Sequence, residues 1–123
     1  MKRPRTKDLA RIARVVEMSF EADQARMRRL RLSEDELRAR LEDLSPARAA
    51  PEPGAPIDPA TLAGADLRWQ RWAEERRREI NMSLARLRVE QIQAAEALTK
   101  TFGRSQAVAA LIRAEEGRRA RDE

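Results

Sequence analysis

Seam positions in the first third of the chain recur alternately four and three residues apart: Leu9, Ala13, Val16, Phe20, Asp23, Met27, Leu30, Glu34, Leu37, Leu41 and Leu44. All of them except Asp23 and Glu34 are apolar. A stripe with a period of about 3.5 residues is narrower than the face a helix buries against a globular core, and it calls for a second helix along its whole length. The pattern predicts helix 1 over about 8–44, a span of roughly 36 residues and about 55 Å at 1.5 Å per residue, too thin to enclose a substrate.

Five of the six prolines lie between Ser45 and Pro59. Proline removes a backbone donor and biases its predecessor away from the helical region, so Pro46, Pro51, Pro53 and Pro56 predict a linker over 45–58. Asp58-Pro59 then reads as a helix start, with an acid at the N-cap and proline at the first helical position; Gly64 could delay that start to Asp66. A second seam follows through Trp69, Ala73, Arg76, Ile80, Leu84, Leu87, Gln91, Ala94 and Leu98, with Phe102 one residue out of phase. This predicts helix 2 over about 59–102, a weak point at Gly103, and a short helical extension over about 105–116 capped by Ser105 and carrying Val108, Leu111 and Ile112. Residues from Gly117 onward read as a frayed tail.

Acids precede basic residues by four positions at Glu34 and Arg38, Glu36 and Arg40, Glu74 and Arg78, and Glu115 and Arg119, which supports helices by tenths of a kcal/mol each. No segment sustains period-two alternation. The expected fold class is all-α: one domain, residues 1–123, built as two long helices in an antiparallel coiled-coil hairpin with a short C-terminal helical extension. Setting Leu44 beside Leu62 to Leu67 places Leu9 beside Ala97 to Phe102, so the chain from Ser105 onward is expected to overhang helix 1, near Ile12, Val15 and Met18.

Composition narrows what such a hairpin does. Aromatic residues are 3% and charged residues 38% of the 123, which suits a thin bundle and not a thick core. The chain contains neither Cys nor His, so it lacks the commonest transition-metal ligands, the usual thiol nucleophile and the usual near-neutral acid or base. No Gly-x-x-x-x-Gly-Lys segment is present to cradle phosphates. Asp23 and Glu34 stand about 16 Å apart along one helix, too far to act as a catalytic pair, and read as polar seam residues that fix register against Arg71, Arg76 or the neighbours of Met82. The expectation is a protein that is not an enzyme, with no cofactor and no metal. Met1 to Lys7 is basic but is followed by no apolar run of signal-peptide type, and no run approaches the roughly 20 residues of a membrane span, so the expected location is cytoplasmic.

Two features point to partners. Trp69 and Trp72 sit three residues apart, so one fills the seam while the other either packs beside it or meets another protein. Arginine outnumbers lysine 23 to 3, with clusters at Arg26, Arg28, Arg29 and Arg31 and at Arg76, Arg77 and Arg78, but the net charge is only +5 and consecutive arginines point in different directions. A salt-laced face or an acidic protein partner fits this better than nucleic acid.

From Leu67-Arg68-Trp69-Gln70-Arg71-Trp72 through Ile80, Leu84 and Leu87 to Phe102-Gly103-Arg104, the chain resembles the second helix of FliJ and YscO-type proteins. With the first helix included, the resemblance covers about 9–112. It implies a small coiled coil of a flagellar or type III protein export system, peripheral to the inner membrane. In that family the terminal end engages a hexameric export ATPase, with further contacts to the export gate and to chaperones. The short length and the proline-rich loop depart from the family pattern. The expected function is a non-enzymatic stalk or chaperone-escort accessory, a monomer or weak dimer, that regulates its ATPase through Ile12, Val15, Met18, Trp69, Trp72, Arg76, Arg77, Arg78, Val108, Leu111 and Ile112. The alternatives are a basic nucleic-acid-associated helical protein and a self-associating structural coiled coil.

Overall fold

A computed structural model describes residues 6–45 and 58–122, which form two helices, α1 (Thr6–Asp43) and α2 (Pro59–Asp122). The helices pack against each other as a hairpin, and no strand occurs among the described residues. The expected linker prolines Pro46, Pro51, Pro53 and Pro56 lie outside the described residues. α1 ends by tightening: the Leu44 N–H donates to the Leu41 carbonyl at 3.1 Å and the Ser45 N–H to the Glu42 carbonyl at 3.0 Å, the three-residue spacing typical of a last turn. α2 starts at the earlier of its two candidate sites. The Leu62 N–H donates to the Asp58 carbonyl at 2.9 Å, and Pro59 occupies a first-turn position where its missing donor costs nothing.

Every one of the eleven seam positions of α1 is buried or half-buried. The chain divides into two compact units that draw on both helices: residues 30–89, and residues 1–29 with 90–123. In the 30–89 unit, Leu44, Ala73 and Ile80 are buried together, with Leu37, Leu41, Trp69 and Leu84 packed on them. The α2 seam here runs through Arg77, and not through the expected Arg76. Arg77 is half-buried, and its guanidinium donates to the Leu44 carbonyl at 2.5 Å. A helix C-terminus leaves its last carbonyls unpaired and carries partial negative charge, so a cation from the facing helix satisfies both needs.

That contact also corrects the expected register. Leu44 meets Ala73, Arg77 and Ile80, whereas Leu62 and Leu67, the residues expected beside it, are exposed. Residues 59–68 of α2 therefore lie beyond Leu44, and the overhang within this unit is at the start of α2. The expectation paired the apolar residues nearest the linker. The folded chain pairs those that give Leu44 an aliphatic neighbour and its carbonyl a donor.

In the unit of residues 1–29 and 90–123, the Phe20 and Phe102 rings lie 5.8 Å apart at 44°, within the range of favourable tilted pairs. Phe102 flanks the seam, and Thr101 occupies the buried position. The Thr101 hydroxyl donates back to the Ala97 and Leu98 carbonyls, each at 3.2 Å, so it is satisfied inside its own helix. Beyond it, Ser105, Val108, Ile112 and Glu115 are half-buried in unbroken four-and-three alternation. Two expectations fail together here. α2 does not stop at about 102 and restart at 105, because the seam keeps its phase and Gly103 sits on the exposed face. Nor do Val108 and Ile112 overhang helix 1; in the pairing set by Phe20 and Phe102 they reach the level of Leu9, which is buried. The tail expected to fray from Gly117 is helical to Asp122.

Candidate functional site

The residues singled out for partner contact divide by what the hairpin already uses. In the unit of residues 1–29 and 90–123, Val108 and Ile112 are half-buried in the seam, while Ile12, Val15, Met18 and Leu111 are exposed, Val15 at 66% and Leu111 at 54%. Ile12 lies eight residues before Phe20 on α1 and Leu111 about as many after Phe102 on α2, so the paired rings bring Ile12 level with Leu111. An apolar surface is thus built from both helices, in a region whose exposed charges are of both signs, Asp8, Arg11 and Arg14 on α1 and Arg104, Arg113 and Glu116 on α2. Near its end, Glu115 and Arg118 form an ion pair at 2.6 Å that replaces the expected pairing of Glu115 with Arg119.

In the 30–89 unit the two tryptophans take separate roles. Trp69 is half-buried against the Leu44, Ala73 and Ile80 cluster, whereas Trp72 is 48% exposed, with its ring 5.1 Å from that of Trp69. The Arg76 guanidinium lies 5.8 Å over the Trp72 ring and also pairs with Glu79 at 3.0 Å. Trp72, Ile80, Leu37 and Leu44 floor an open groove of about 400 Å³, with Arg40 and Asp43 on its rim. Of the arginine cluster, Arg77 is committed to the Leu44 carbonyl, while Arg76 and Arg78 are exposed.

Glu34 is half-buried in the seam and pairs with Arg38 on its own helix at 3.1 Å. Asp23 is half-buried in the seam. No group of three or more His, Cys, Asp or Glu is placed to hold a metal among the described residues. No helix among them is long and apolar enough to cross a membrane. The groove, which Glu79 and Ser83 also line, and the apolar surface offer area and charge for another macromolecule.

Comparisons with protein-family models, with curated proteins and with solved structures found no match.

Arg77 and Thr101 are structural residues that the seam spacing misplaced by one. Strict alternation would have found both. From Ala73 onward, steps of four and three reach 77, 80, 84, 87, 91, 94, 98 and 101, whereas passing through Arg76 requires two consecutive steps of four, to Ile80 and to Leu84.

Proposed function

We propose that the chain is a non-enzymatic coiled-coil adaptor of the FliJ and YscO type, which binds an export ATPase and organises its activity without hydrolysing ATP. The observation that carries this reading is the apolar surface of Ile12, Val15 and Leu111, drawn from both helices outside the seam. Exposed apolar side chains gathered from two elements and rimmed by charge are the usual mark of a protein-binding surface. The choice of an export ATPase as partner rests on the resemblance of the Leu67 to Arg104 segment and on the same terminal location of the surface.

The test is a purified mixture of the chain with the export ATPase of its own organism. Co-migration in gel filtration and a changed hydrolysis rate are expected, and both are expected to be lost in a Val15→Asp, Leu111→Asp variant that keeps its helical circular dichroism. Separate migration with an unchanged rate overturns the ATPase reading. Binding to duplex DNA that persists at physiological salt would replace it with the nucleic-acid alternative.

A further inference from the structure

The first turns of α2 carry an apolar face that reaches past the end of α1. Leu62, Ala65, Trp69 and Trp72 recur at steps of three, four and three, so at about 100° per residue all four lie within roughly a quarter of the helix circumference. Trp69 is half-buried against the Leu44, Ala73 and Ile80 cluster, which sets this face on the side of α2 where α1 lies. The other three are exposed, Leu62 at 40% and Trp72 at 48%. The charges beside the face are of both signs: Asp58, Asp66 and Arg68 along α2, the paired Arg76 and Glu79, and Arg40 and Asp43 on the groove rim. Charge therefore selects neither an acidic nor a basic occupant.

Chain length and attachment select one. Leu44 packs with Ala73 and its carbonyl accepts from Arg77, so α1 ends at the level of residues 73–77. Asp58, where the chain resumes, lies at least about 22 Å further along at 1.5 Å per residue. The segment from Ser45 to Ile57 joins these points, and at 3.1 Å per residue it reaches about 40 Å, enough to follow the face with length to spare. Both attachment points adjoin the face: Leu44 lines the groove with Trp72, and the Asp58 carbonyl accepts from the Leu62 N–H. A tether this short holds its residues near the face at about millimolar effective concentration, so even a weak contact is populated. The composition suits an indole surface. Pro46, Pro51, Pro53, Pro56 and Ile57 are apolar, Arg48 and Glu52 are the only charges between Pro46 and Ile57, and proline, with φ already fixed, loses little freedom on docking against an aromatic ring. We propose that the chain's own proline-rich segment, residues 46–57, docks on the Leu62, Ala65 and Trp72 face of α2, with proline rings against the exposed indole. None of these residues belongs to the Ile12, Val15 and Leu111 surface, so the proposal stands whether or not that surface binds an ATPase.

The experiment uses the full chain. In nuclear magnetic resonance, Overhauser contacts are expected between the Trp72 indole protons and the ring protons of one or more of Pro46, Pro51, Pro53 and Pro56. Their absence overturns the proposal. A second measurement reads accessibility: Trp69→Phe leaves Trp72 as the only tryptophan, and residues 46–57 are either kept or replaced by Gly and Ser in equal number. Acrylamide quenching of Trp72 is expected to rise at least twofold on replacement while helical circular dichroism stays unchanged, and the emission is expected to move to longer wavelength. Equal quenching in the two chains overturns the proposal, because the indole is then open to solvent whatever the segment contains. If the Trp69→Phe chains lose helix, the Overhauser contacts of the unsubstituted chain decide alone. A dimer of the parent chain in sedimentation equilibrium that Trp72→Ala dissolves also overturns it, since a second copy is then the occupant.

Discussion

The unit of residues 30–89 closes its seam with Leu44, Ala73 and Ile80, surrounded by Leu37, Leu41 and Leu84; the unit of residues 1–29 and 90–123 places Gln91, Ala94 and Thr101 at its most buried α2 positions. Both are two-helix packings with the same four-and-three spacing, yet the most buried α2 positions of the first include Ile80 and Leu87 whereas those of the second are small or polar. Small residues allow close approach but remove little apolar area from water, and area is what chiefly stabilises a seam. One repeat thus serves two ends. Around Ile80 the seam supplies stability, and around Thr101 it supplies alignment, holding Phe102 beside Phe20 and keeping α2 in phase to Glu115.

The largest expected effect is the loss of a branched side chain from the aliphatic unit. Ile80→Ala is expected to destabilise the protein by about 3 kcal/mol, within the range for buried aliphatic truncation. Val108→Ala, at a half-buried seam position of the other unit, is expected to cost about 1 kcal/mol, because its side chain gives up less buried area. Urea denaturation followed by circular dichroism measures both. Equal losses would show that the two seams are equivalent in energy despite their different residues.

A smaller effect separates Arg77 from its neighbour. Arg77→Ala removes the donor to the Leu44 carbonyl and is expected to cost about 2 kcal/mol, the scale of a hydrogen bond to a charged group. Hydrogen exchange at the Leu44 amide should quicken as the last turn of α1 opens. Arg76→Ala removes an exposed ion pair with Glu79 and is expected to cost less than about 0.5 kcal/mol. If Arg76→Ala were the more damaging of the two, the seam would pass through Arg76.

Much of this was legible in the chain itself, and the failures share one cause. Helix type, the hairpin, the α1 seam and the helix start at Asp58-Pro59 follow from local rules: periodicity, capping and the behaviour of proline. Register is not local. The contest between Leu62 and Ala73 as neighbours of Leu44 is decided by a carbonyl that needs a donor and by which arginine can reach it, neither of which periodicity encodes. Phe102 shows a related limit: as the bulkiest apolar residue nearby it reads as a seam member, but a short threonine that satisfies its own hydroxyl takes the buried place while the ring lies along the flank.

Gly103 carries the smallest expected effect, and the one that bears on how continuous the alignment around Thr101 is. Glycine lowers helix propensity by about 1 kcal/mol relative to alanine, so an exposed interior glycine weakens a helix unless its missing side chain makes room for something. Here a Cβ would meet nothing within 4 Å, and the residue lies within α2 on its exposed face. Gly103→Ala is therefore expected to stabilise the protein by somewhat under 1 kcal/mol, read as a higher urea midpoint at unchanged slope. The double-mutant coupling between Phe20→Leu and Phe102→Leu should be the same with and without the Gly103→Ala substitution, since α2 is unbroken through the position and keeps its phase. A loss of stability, or a changed coupling between the two rings, would mean that α2 bends at Gly103 and that the seam is aligned by the bend and not by the small residues before it.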